Sequence, residues 1–157
     1  MKVMIVFDSR TGNTEKMAQA VAEGVRAEKV EVDIVNVKEA QIDDLPKVDG
    51  LIVGSPVYYG LPSSKIKEFL DASIKYHGKL EGKVGGAFAC SGGTHSGGET
   101  TVMAINEALL IHGMVIQGTS GRNHYGPVSI GPPDESSKDA CRKLGQKVAN
   151  LMKRLHG

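Results

Sequence analysis

Hydroxyl side chains crowd one short stretch of this chain, Ser9-Arg10-Thr11-Gly12-Asn13-Thr14. The stretch follows the apolar run Lys2–Phe7 directly and precedes a segment with helical spacing. There, its backbone N–H groups, the Ser9, Thr11 and Thr14 hydroxyls and the positive end of a helix dipole face one point. That is a site for a phosphate, and one that needs no lysine to neutralise it. Spacing excludes two common phosphate loops. A Walker loop ends in Gly-Lys followed by Ser or Thr, whereas the Gly-Lys pairs here continue as Gly78-Lys79-Leu80 and Gly82-Lys83-Val84. The dinucleotide fingerprint needs three glycines after the first strand, and only Gly12 stands there. A hydroxyl-rich helix cap with no ligand is the plainer alternative.

Two further loops suit a flat ligand. In Gly54-Ser55-Pro56-Val57-Tyr58-Tyr59-Gly60, Tyr58 or Tyr59 can offer a stacking face, and backbone N–H groups around Val57–Gly60 can serve a polar edge. The alternative is a tyrosine pair that packs the loop onto the domain. In Ser91-Gly92-Gly93-Thr94-His95-Ser96-Gly97-Gly98, glycines let the backbone approach a ligand closely, and Thr94, His95 and Ser96 add polar donors. Without a ligand this would be a flexible connection. Gly93–Gly97 nearly forms the hydrolase elbow GxSxG, but His95 occupies the nucleophile position.

The elements around these loops alternate in period. Val3–Phe7, Leu51–Gly54, Val84–Cys90 and Met114–Gln117 read as short buried strands, and Val30–Val37 as a half-exposed edge strand. Helical stripes run over about Thr14–Ala27, Ser63–Ser73, Glu99–His112 and Glu135–Leu155, the last capped by Asp134. Pro46 keeps Lys38–Val48 a short connection, and Gly118–Pro133 is irregular. Alternation of this kind predicts an α/β fold: a doubly wound five-stranded parallel sheet, order 2-1-3-4-5, with helices on both faces. The three loops follow the first, third and fourth strands, neighbours in that order, so they converge. Response-regulator receivers share the order but need an acidic pair, a phosphorylatable Asp and a Lys at strand ends. Here Asp8 stands alone, Gly54-Ser55 closes the third strand and Gln117-Gly118 the fifth.

At 157 residues, with 40% hydrophobic and 24% charged residues, the chain reads as a single soluble domain over 1–157. A net charge of +1 gives no bulk attraction to nucleic acid or to a membrane surface. The apolar run from Val3 reads as a strand rather than as the h-region of a signal peptide, so none is expected. Cys90 and Cys141 are far apart, without metal-ligand spacing, and read as reduced thiols of a cytoplasmic protein; Cys90 is best taken as a small buried hydrophobe.

The first loop resembles the flavodoxin pattern Thr/Ser-x-Thr-Gly-x-Thr, which holds the 5′-phosphate of FMN. Together with Gly54–Gly60, Ser91–Thr100, Ile111-His112-Gly113-Met114-Val115 and His124-Tyr125-Gly126-Pro127, it resembles the WrbA family of NAD(P)H:quinone oxidoreductases within the flavodoxin-like superfamily. The likeness runs over nearly the whole chain. It implies a flavodoxin-like fold and a bound FMN whose phosphate meets Ser9, Arg10, Thr11, Gly12, Asn13 and Thr14. It implies that Pro56, Val57, Tyr58, Tyr59 and Gly60 line the ring. Ser91, Gly92, Gly93, Thr94, His95, Gly97 and a catalytic His112 would complete the pocket. It also implies a homodimer or homotetramer in which neighbouring subunits close the flavin site.

The chain departs from that family in places. The segment between the second and third strands is shorter, Ala72–Lys83 is abbreviated, and the tryptophan usual there is absent. Two functions therefore stay open. One is reduction of quinones or similar acceptors by NAD(P)H. The other is electron carriage between a reductase and a redox partner protein, for which the length fits but the net charge of +1 does not match the usual strong acidity. His124 and Tyr125 could close the pocket; His77 and His156 read as solvated.

Overall fold

The computed structural model describes all 157 residues. Val3–Phe7 is apolar at every position, so it needs cover on both faces, and β1 (Lys2–Phe7) receives it as an interior strand of the sheet. β1 pairs in parallel with β2 (Glu31–Asn36) and β3 (Gly50–Tyr58). The return strand β4 (Leu61–Pro62) runs antiparallel to the end of β3. Next come β5 (Val84–Ser91), β6 (Val115–Ile116) and β7 (Val128–Ile130). The parallel path is β2-β1-β3-β5-β6, which is the expected five-strand order, the hairpin strand β4 lying off it.

The edge beyond β5 differs from expectation. Its position is shared: β6 pairs with Val84 and Gly85, β7 with Ala89, Cys90 and Ser91. The expected fifth strand, Met114–Gln117, is therefore only half of that position. The chain leaves the sheet over the turn-forming residues after Ile116 and returns at Val128. Gly126 permits the return, because a Cβ there would lie 2.1 Å from the Ala87 carbonyl oxygen. β3 also continues past Gly54 to Tyr58, because β4 supplies hydrogen-bonding partners for its last residues.

Helices cover both faces. α1 (Asn13–Ala27) and α4 (Glu135–His156) pack on Val3, Ile5, Phe7, Ile52 and Phe88. α2 (Ser64–Ala72) and α3 (Gly98–Ile111) pack on Met4, Val6, Leu51 and Val53. The alternation along β1 thus splits its side chains between two cores, as the period of two dictates. α1 and α4 touch backbone to backbone: a Cβ on Gly145 would lie 2.1 Å from the Val21 oxygen, and one on Gly24 2.0 Å from the Arg142 oxygen. Ile42–Lys47 is a 3-10 turn that accommodates Pro46. No helix is long and apolar enough to cross a membrane.

Candidate functional site

All three hydroxyl- and glycine-rich loops leave the sheet at one end. Phe7 is in register with Gly54, and Gly54 with Phe88, so the chain exits β1, β3 and β5 on the same side. That is the convergence a single cradle requires.

The first loop leaves several backbone donors free. Gly12 has φ +88°, a left-handed geometry that turns the chain into α1. Ser9 Oγ accepts from the Gly12 N–H at 3.1 Å and from the Glu15 N–H at 3.4 Å. The N–H groups of Arg10, Thr11, Asn13 and Thr14 have no acceptor within the protein. Helix N-termini ordinarily satisfy such donors with a capping side chain. α2 and α4 do so: Ser63 Oγ accepts from Ile66 at 3.4 Å, and Asp134 Oδ1 from Ser137 at 2.7 Å. α1 and α3 begin instead at left-handed glycines, Gly12 and Gly97, N-cap residues with no side chain to cap with; at α1 only the Glu15 N–H of the first turn finds a side chain, Ser9. These are the two helices whose first turns face the cradle. Free donors on a positive helix end fit a phosphate.

The second loop is a two-residue hairpin. Val57 pairs with Pro62 and Tyr58 with Leu61, leaving Tyr59 (φ +50°) and Gly60 (φ +77°) as the turn. Two positive φ values match the type I′ turn that right-twisted strands favour. Gly60 accepts that geometry freely, whereas Tyr59 is strained by it and its ring stands wholly in solvent. Tyr58 is about half-buried, at 40% exposure. Pro56 is buried within β3, so of the expected ring contacts Tyr58, Tyr59 and Gly60 are presented at the tip, and Val57 is partly covered. Ser55 Oγ accepts from the Ser63 N–H at 2.9 Å, which ties the hairpin to the start of α2.

The third loop is braced internally. Ser91 and Ser96 share a short hydroxyl contact, and both hydroxyl oxygens lie 2.6 Å from the Gly93 carbonyl oxygen, so one donates to the carbonyl and the other within the pair. Gly92, Gly93, Thr94 and His95 are left at or near the surface, His95 with φ +56°. Thr100 Oγ1 donates to the Gly60 carbonyl at 3.0 Å, so the hairpin tip is bonded to the first turn of α3. Sequence reasoning missed Thr100; its place three residues after Gly97 was the available signal.

The first two loops also share a cleft of about 300 Å³, lined by Asp8, Ser9, Arg10, Tyr58, Ser63 and Lys65 among others. Asp8 is a second residue sequence reasoning passed over as a site member. It is buried to 5% exposure, and Lys65 Nζ lies 3.9 Å from its Oδ1. A buried carboxylate would repel a phosphate; Lys65, Arg10 and Lys38 around the same cleft offset it.

His112 is not brought to this end. It caps the carboxyl end of α3, a 14-residue helix whose first turn forms the cradle. At 1.5 Å per residue that is about 20 Å away. Within one chain it therefore does not face the three loops, and the expected role in the pocket would have to be played toward a neighbouring subunit. At the end of α3 its Nε2–H donates to Ser73 Oγ at 2.7 Å, since the serine's own proton goes to the Leu70 carbonyl at 2.6 Å. Nδ1 is buried without a partner. Burial, then the neighbouring His77, lowers its pKa and keeps the ring neutral. His124 and Tyr125 lie on the segment between β6 and β7, where Asn106 Nδ2 holds the Tyr125 carbonyl at 2.9 Å. Cys90 sits in the α1/α4 core at 9% exposure, and burial pushes the Cys141 thiol up to about 12.

Known proteins share this arrangement. Residues 5–132 match the Flavodoxin family model. A flavodoxin from Aquifex aeolicus is 43% identical over 157 aligned residues, covering 94% of this chain and 85% of that protein. An NAD(P)H dehydrogenase (quinone) from Archaeoglobus fulgidus is 31% identical, covering 98% of each. Among solved structures, the WrbA-like flavodoxin of Agrobacterium tumefaciens superposes with a TM-score of 0.84 at 26% identity, covering 98% of both chains. A doubly wound sheet, an uncapped helix after its first strand and a family match over most of the length lead to one conclusion: this chain belongs to the flavodoxin family.

Proposed function

We propose that the chain binds FMN at the three converging loops and uses it to reduce quinones or similar acceptors at the expense of NAD(P)H. The observation that carries the cofactor assignment is the set of free N–H groups at Arg10, Thr11, Asn13 and Thr14, on a helix without a side-chain cap. Those donors and the Ser9 and Thr11 hydroxyls would hold the phosphate. Tyr59 and Tyr58 would flank the ring, and the backbone of Gly60 and of Gly92–Gly97 would approach its polar edge. When bound, FMN accepts reducing equivalents from a nicotinamide and passes them to an acceptor. The protein's share is to hold, orient and partly shield it.

Reduction of quinones draws support from the Archaeoglobus relative, which covers nearly all of this chain, and from the near-neutral net charge of +1. Electron carriage is the second reading. It draws support from the Aquifex flavodoxin at 43% identity. A steady-state assay with NADH or NADPH and a benzoquinone separates them: turnover by the FMN-loaded protein supports the enzyme, and no turnover supports the carrier. A protein that is colourless and takes up no added FMN would end both.

A homodimer or homotetramer belongs to the same proposal. His112 is about 20 Å of helix from the cradle of its own chain, so its contact with a bound ring requires a second copy. Between α2 and α3, Leu61, Leu70, Ile74 and Ile111 line an apolar cavity of about 580 Å³ beside His112, with Ile74 and Ile111 more than 70% exposed. A patch of that kind suits a subunit contact. The molar mass in solution tests it.

A further inference from the structure

The segment that divides β6 from β7 lies beside α4, and the two form an open cleft of about 430 Å³. Thr119 and Arg122 line it from the segment, and Ser136, Asp139, Lys143 and Lys147 from α4. It shares no residue with the cradle. Its charge is unbalanced. Lys143 pairs with Asp139 at 2.7 Å, but Arg122 and Lys147 pair with no carboxylate. Three cations against one carboxylate leave two positive charges on the walls.

Lys147 is the telling member. Its Nζ donates to the neutral Thr119 Oγ1 at 2.6 Å, and burial alone lowers its pKa. A half-covered ammonium whose one protein partner is a hydroxyl has no carboxylate to balance its charge. An anion in the cleft would balance it. Lys143 and Lys147 stand four residues apart, so their stems rise from one face about 6 Å apart. That separation suits two adjacent phosphoryl groups better than one. Arg122 adds a planar fork that can take two phosphate oxygens at once, and the Ser136 and Thr119 hydroxyls can donate as well.

We propose that this cleft is a second anion site, one that binds the diphosphate group of a small phosphorylated ligand. The site stands on residues of α4 and the segment beside it and does not depend on the flavin assignment.

The test is calorimetric titration of protein already saturated with FMN, so that the cradle at α1 is not what is read. Inorganic pyrophosphate is the first probe, ADP the second and inorganic phosphate the third. Pyrophosphate binds and phosphate binds more weakly. Arg122→Gln and Lys147→Met each weaken pyrophosphate binding about tenfold, the usual loss of one charge-assisted contact, with FMN content and melting temperature kept. Lys147→Arg retains binding. ADP that binds as well as pyrophosphate identifies a nucleotide as the source, and pyrophosphate alone identifies the free ion; both support the site. No binding of pyrophosphate or ADP, affinity unchanged in both charge-removing variants, or phosphate binding as tightly as pyrophosphate would each overturn it.

Discussion

Gly97 and Gly60 meet backbone to backbone: a Cβ added to Gly97 would stand 2.4 Å from the Gly60 Cα. Thr100 Oγ1 reinforces the contact by donating to the Gly60 carbonyl at 3.0 Å. Two loops that are 37 positions apart in the chain therefore form one continuous wall.

Gly97→Ala is expected to break this wall. The added methyl has no room, and φ +100° strains any L side chain. A loss of about 1–3 kcal/mol in stability follows from the strain and overlap, together with weaker FMN retention. Gly121→Ala is the control, since nothing lies within 4 Å of its Cβ position and it stands outside the cradle. Urea unfolding and fluorescence titration with FMN read both variants; equal behaviour of the two would refute the contact's role.

Tyr59→Gly separates strain from function. The left-handed φ of +50° costs a tyrosine about 1 kcal/mol that glycine does not incur. The ring is fully exposed, so no packing is lost with it. Glycine's looser unfolded chain takes back part of the gain. The apo-protein should keep or slightly raise its melting temperature while FMN binds less tightly. Unchanged FMN affinity would count against Tyr59 as a ring contact.

Thr11→Val tests the phosphate end. Thr11 is exposed and makes no side-chain hydrogen bond within the protein, so its loss leaves the fold intact. Removing one donor to a charged group costs about 1.5–3 kcal/mol, roughly tenfold or more in affinity. FMN affinity equal to that of the parent would remove Thr11 from the cradle.

His112 gives the stability a pH dependence with a definite sign. Burial and His77 hold its folded pKa below the ordinary value, so the unfolded chain binds a proton more readily. Its contribution is present above about pH 6.5 and is lost as the pH falls below that. Chemical unfolding at about pH 7.5 and about pH 5.5 should show the loss, and His112→Gln, which cannot titrate, should reduce it. A parent protein equally stable at both would contradict the neutral, Ser73-bonded ring.

Local chemistry carried much of this protein. The uninterrupted apolar run of β1, the alternation of β2 and the stripe of α4 are properties of nearest neighbours, and they determine sheet order once crossovers are right-handed. The hydroxyls and glycine of Ser9–Thr14 are likewise local, and the proposal of an anion site there starts from their spacing. Contacts between distant segments were not legible in this way. The pairing of β7 with the end of β5, the seam between Gly60 and Gly97 and the burial of Asp8 depend on which backbones come within van der Waals reach after packing. His112 shows the difference most clearly. The resemblance groups it with the flavin pocket, and only the fold shows that α3 holds it at the far end of the sheet from its own chain's cradle, because a helix of fixed pitch cannot present both its termini to one site.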